Sequence, residues 1–110
     1  MNYSEMSDGE ISVLVGRLQK PKYEVVVNPH NPKGAQYIRM LGKYRHTFGF
    51  LPLVKAEDGF PILIKNRIAI APASKTIWEA SHESGLRARH KNPLRAAMIV
   101  YLMMHDKGEE

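Results

Sequence analysis

Ser81-His82-Glu83-Ser84 gathers a hydroxyl, an imidazole and a carboxylate within four positions. A hydrolytic triad needs those groups to meet through space, nucleophile on base and base on acid, and adjacent residues rarely do so. The segment therefore reads as a polar loop. None of the six serines stands in a Gly-x-Ser-x-Gly elbow. The absence of cysteine removes thiolate nucleophiles, disulfides, thiolate zinc sites and iron–sulfur clusters together. His30, His46, His82, His90 and His105 show no paired-ligand spacing and no accompanying carboxylate cluster, so no metal is expected. Glu57 and Asp58, being adjacent, point in different directions and do not form a glycosidase pair. Gly34, Gly42 and Gly49 stand alone, so no phosphate loop is present. The expectation is no catalytic residue, no cofactor and no enzyme.

The cations are the better candidates. Tyr37, Arg39, Lys43 and Arg45 alternate with apolar residues and would share one face of a strand, setting cations beside an aromatic ring. That suits a phosphodiester backbone or a stacked nucleotide. The plainer alternative is an edge strand whose Lys and Arg block edge-to-edge pairing. Arg87, Arg89, Lys91 and Arg95 form a second cluster, at and before the start of the last helix, where backbone amides already favour anions. Its plain alternative is a solvated basic loop. The charge is uneven along the chain: residues 20–55 are net +6 and residues 85–95 net +4, within a total of +5. A basic surface draws acidic or phosphate-rich partners.

These side chains need elements to hold them. Ser7-Asp8-Gly9-Glu10 is a capping box, and Ile11, Leu14, Val15 and Leu18 follow at helical spacing. A helix over Ser7–Gln19 is expected, ended before Pro21. Tyr3 or Met6 would staple its entry. Tyr23–Val27 reads as a strand and Asn28–Gly34 as a loop. Period-two alternation makes residues 36–48 a strand in preference to a short helix, and Phe48–Lys55 is irregular. Asp58 would cap a short buried helix with Pro61 in its first turn, although local preference alone would make Pro61–Lys65 a strand. Arg67–Ala71 and Thr76–Ala80 read as an antiparallel pair across Pro72–Lys75, and Ser81–Lys91 as an exposed loop. Asn92-Pro93 opens a helix through His105, closed by Gly108. Ala96–Met104 has almost no polar face, so this helix is either the central core helix or part of a subunit interface that would make a homodimer. Met98, Met103 and Met104 would fill the core or adapt to a partner.

With 110 residues, 44% hydrophobic and 25% charged, the chain is too apolar for a disordered tail and long enough for one core. The longest apolar run is nine residues, against the ~20 needed to cross a bilayer. The expected architecture is a single α+β domain over 1–110. In it, a small, mostly antiparallel sheet of three to five strands is packed by an N-terminal helix and an apolar C-terminal helix.

Two blocks resemble a known family. Met1-Asn2-Tyr3-Ser4-Glu5-Met6-Ser7-Asp8 resembles the opening of the NinX-like proteins of lambdoid and related bacteriophages. Asn92–Met104 resembles that family's closing block. Asp58–Ile64, Ile68-Ala69-Ile70 and Trp78-Glu79-Ala80 are similar to its middle, in the same order, with Phe60 where the family usually has tryptophan. Residues 20–55 fit that pattern poorly. The resemblance implies an accessory protein of a temperate phage, located in the cytoplasm of the infected bacterium, and carries over no catalytic residue. The expected function is binding that modulates a host process, such as defence or nucleic-acid metabolism, through a host protein. The alternative is direct nucleic-acid or nucleotide binding through the two basic clusters. No membrane partner is expected.

Overall fold

The computed structural model describes residues 2–106. Ser7 and Glu10 make the anticipated box: the Glu10 amide donates to Ser7 Oγ at 3.1 Å, and the Ser7 amide donates to Glu10 Oε1 at 2.9 Å. Helix α1 (Asp8–Gln19) follows, preceded by a single 3₁₀ turn at Tyr3–Glu5 that buries the Tyr3 ring. Its apolar stripe lies on a three-stranded antiparallel sheet of β1 (Glu24–Val27), β2 (Ala35–Leu41) and β3 (Tyr44–Phe50), in the order β1-β2-β3. Helix and sheet approach closely at Gly9, where an added Cβ would sit 2.5 Å from the Pro32 carbonyl oxygen and 3.0 Å from Val27. The Asn28–Gly34 loop is held by Asn28, whose Oδ1 accepts from the amides of His30 and Asn31.

Residues 36–48 are extended but are not one strand. They are most of a hairpin, folded at Gly42-Lys43, and Gly42 takes φ +62°. A two-residue loop that begins with glycine matches the twist of its strands. The extended region runs on through Phe50, so the stretch expected to be irregular begins only after it.

Helix α2 (Ala56–Lys65) confirms helix over strand for Pro61–Lys65. It starts earlier than expected, and Pro61 lies inside it. Asp58 is not its cap; one carboxylate oxygen accepts from the Leu51 amide at 2.9 Å, closing the turn before the helix. Ile62 is buried as expected, whereas Ile64 is 70% exposed. The strands after it form a second antiparallel sheet in the order β4-β5-β6: β4 (Ala69–Pro72), β5 (Trp78–Ser81) and β6 (Arg87–His90). β6 corrects the exposed-loop reading of Ser81–Lys91. Ala88 pairs with the fully buried Ala80, and Arg87 and Arg89 flank Glu79 on the wet face, so β5 supplies the partner that a loop would lack.

Helix α3 (Pro93–Asp106) is capped by Asn92, whose Oδ1 accepts from the Leu94 amide at 2.9 Å. The expected stop at Gly108 lies outside the described residues. Every residue from Leu94 to Leu102 is buried. The second sheet, α1 and α2 all lie against α3, so a helix apolar all round is enclosed by its own chain. The protein is α+β, with its strands divided between two small sheets and α3 at the centre.

Candidate binding surface

β1 begins opposite Ile38, and past that pair β2 and β3 continue as a two-stranded ribbon through Arg39↔His46, Met40↔Arg45 and Leu41↔Tyr44. At about 3.3 Å per residue this is an arm roughly 10 Å long. Its tip is apolar and wet at once: Met40 is 59% exposed and Tyr44 66%. The cations Arg39, Lys43 and Arg45 stand around them, and none is within ion-pair distance of a carboxylate among the described residues.

The four residues expected on one strand face do not share one. Tyr37 and Arg39 do lie on the same face of β2. Lys43 is in the turn. Arg45 pairs with Met40 and so projects on the face opposite Arg39, because the chain reverses at Gly42 and the register sets which parities meet. Tyr37 is not a surface aromatic either. It is 3% exposed, against Phe50 at a 5.2 Å centroid distance and Phe48 at 5.7 Å.

Two residues outside the expected set complete the base of the arm. Lys20 Nζ lies 5.7 Å from the Tyr23 ring centroid and 5.8 Å from that of Tyr37, and Arg39 Cζ lies 5.9 Å from Tyr23. These distances allow cation–π attraction while leaving the charges solvated. The sequence signal for the arm was Gly42-Lys43 between two alternating runs, which marks a hairpin as readily as a strand.

The second cluster comes apart. Arg87 Nη1 and Arg89 Nε reach the two oxygens of Glu79 at 2.9 and 2.8 Å. The Arg89 hydrogen bond, reinforced by Arg87, holds the Glu79 carboxyl below the usual range. Arg95 is 5% exposed and faces inward: Nη1 pairs with Asp8, and Nη2 donates to the carbonyls of Tyr3 and Met6. Only Lys91 of the four remains exposed without an ion-pair partner among the described residues. The anion site expected at the start of α3 is a structural tie instead, because the charge there is already matched from within.

At the foot of the arm is a cleft of about 460 Å³ between β2–β3, the end of α1 and the start of α2. Its lining combines the rings of Tyr37, Phe48 and Phe50 with the charged side chains of Lys20, Glu57 and Asp58. Burial, then the Asp58 charge, then Tyr101 push the Tyr37 hydroxyl up to about 12, so it is a donor at neutral pH. Among the described residues no three His, Asp or Glu side chains gather as a metal site would need, and no helix is long and apolar enough to cross a membrane.

A family model described as Bacteriophage P22, NinX matches residues 2–105. The match takes in residues 20–55, the part whose residues resembled that family least. A comparison with curated proteins returns no match.

Proposed function

The chain belongs to the bacteriophage P22 NinX family and is thus a phage accessory protein, and from its geometry we propose that it works by binding, without chemistry of its own. Its partner is a host protein with an acidic and partly apolar surface, and it modulates that protein's process in the cytoplasm of the infected bacterium. The observation that carries this reading is the arm. Met40, Leu41 and Tyr44 stay in water between Arg39, Lys43 and Arg45. Exposed aromatic, methionine and arginine side chains held close together are what the centres of protein interfaces are made of.

A second reading, direct contact with nucleic acid, has its own support. A two-stranded β-ribbon fits the major groove, and Lys20 and Arg39 over Tyr23 offer cations beside a ring. One experiment separates the two. Wild type and Arg45→Glu are used as baits in nuclease-treated lysate of the host. A stoichiometric protein partner that Arg45→Glu loses supports the arm as a protein-docking device. Binding to purified DNA or RNA that falls steeply with salt, with no protein retained after nuclease treatment, supports the second reading. Equal capture by both baits and no salt-sensitive nucleic-acid binding would overturn both.

A further inference from the structure

β3 is an edge of its sheet, and one loop hydrogen bond fixes which of its backbone groups are free. The Asn28 amide donates to the Gly34 carbonyl at 2.9 Å, so these two residues form a hydrogen-bonded pair. In an antiparallel ladder such pairs recur at every second residue, so Gln36 and Ile38 turn their backbone groups to β1. The odd-numbered residues of β2 then turn theirs to β3 and engage its even-numbered ones, from Phe50 to Tyr44. The two-residue turn demands the same parity, since its closing pair, Leu41↔Tyr44, is a hydrogen-bonded one. The N–H and C=O groups of Arg45, Thr47 and Gly49 therefore point away from the sheet. None of them finds a backbone partner among the described residues.

Such an edge is a template for another strand, and folded proteins commonly spoil it with proline, a bulge or short length. β3 uses none of these. It runs for seven residues without proline, in unbroken register with β2. Tyr44 to Gly49 are all exposed, and β2 is the one element packed extensively against them. Its guard is charge: residues 35–50 hold Arg39, Lys43 and Arg45 and no carboxylate. Two copies meeting edge to edge would bring like charges together, whereas a strand bearing carboxylates would bring opposite ones.

We propose that the free edge of β3 takes up an extended acidic segment of the host protein as an added strand. This rests on the protein-docking reading of the arm and gives its partner a shape. The incoming backbone bonds to the outward groups of Arg45, Thr47 and Gly49, the mode known as strand addition. Its side chains alternate, with carboxylates on the face of Arg45 and apolar residues on the face of Tyr44 and Phe48.

An octapeptide of alternating glutamate and valine, added to the full chain, tests it by amide hydrogen exchange read in NMR spectra. Protection should rise at Arg45, Thr47 and Gly49 and stay unchanged at His46 and Phe48, whose amides already bond to β2. The lysine–valine counterpart should bind about tenfold more weakly, because like charges oppose it. Thr47→Pro removes one outward N–H and no ladder bond, which an edge strand tolerates, so it should stay folded and lose the peptide. The fully N-methylated glutamate–valine peptide keeps its charges without its N–H donors, and should likewise fail to bind. No binding at millimolar peptide, equal binding of the lysine peptide, or full affinity of the N-methylated one would overturn the proposal. A dimer that protects the same three amides with no peptide present would overturn it as well. So would a host protein that Arg45→Glu loses and a folded Thr47→Pro retains; that result would leave the arm as a docking device and remove only the added strand.

Discussion

His90 shows how one residue's surroundings set its protonation. Its Nδ1 accepts from the Asn92 amide at 2.9 Å, which requires the unprotonated nitrogen. Desolvation first, then the positive charge of Arg95, lower its pKa from the ordinary value near 6.5. The unfolded chain therefore binds this proton at a higher pH than the native chain does. The stabilisation is present above about pH 6.5 and is lost as pH falls below that value. His90→Asn, whose side-chain oxygen can still accept the Asn92 amide, should lose less stability than wild type between pH 7 and pH 5. Thermal melts at the two pH values measure the difference, and parallel losses would exclude His90 as a contributor. Tyr37 likewise takes its character from its neighbours: tyrosine beside arginine looked like a surface pair, and only packing against Phe48, Phe50 and α1 made it interior.

The arm depends on its turn. Gly42 takes φ +62°, and a Cβ there would meet no atom within 4 Å, so a substitution is penalised by backbone conformation alone. Gly42→Val should cost about 1–2 kcal/mol, whereas Gly42→Asn should cost less, since asparagine tolerates that region. Denaturant midpoints report both, and an unchanged midpoint in Gly42→Val would mean that the turn rearranges freely. Among the elements, α1 and α3 were legible because capping and periodicity are local, whereas the start of α2 was not, since the Asp58 carboxylate holds the Leu51 amide instead of capping the helix. The division of residues 36–48 into two strands was not, since alternation has the same period on both sides of a turn. β6 was hidden for a related reason: its two arginines looked like loop until Glu79 lay opposite them.

At the scale of the molecule, Arg95 ties the beginning of the chain to its centre. From α3 it reaches Asp8 and the carbonyls of Tyr3 and Met6, and the Tyr3 hydroxyl meets Asp106 at the other end of the same helix. Removing one partner of such a buried network leaves the others unpaired. Arg95→Met should therefore destabilise the fold by about 3 kcal/mol, read from urea unfolding. A change within about 0.5 kcal/mol, the range usual for surface substitutions, would show that the arginine is no more than a surface charge turned inward.

Local chemistry in the sequence determined the starts of α1 and α3, the α+β class and a C-terminal helix with no wet side, because capping and hydrophobic period act over a few residues. Which cations remain available to a partner was decided only by tertiary structure. Ion pairs, burial and the facing of a strand depend on residues distant in the chain: Glu79 engages both Arg87 and Arg89, Asp8 claims Arg95, and the reversal at Gly42 sends Arg39 and Arg45 to opposite faces. The cleft beside Tyr37 belongs to that second kind, since Lys20, Phe48 and Glu57 line one cleft only when α1, the arm and α2 come together.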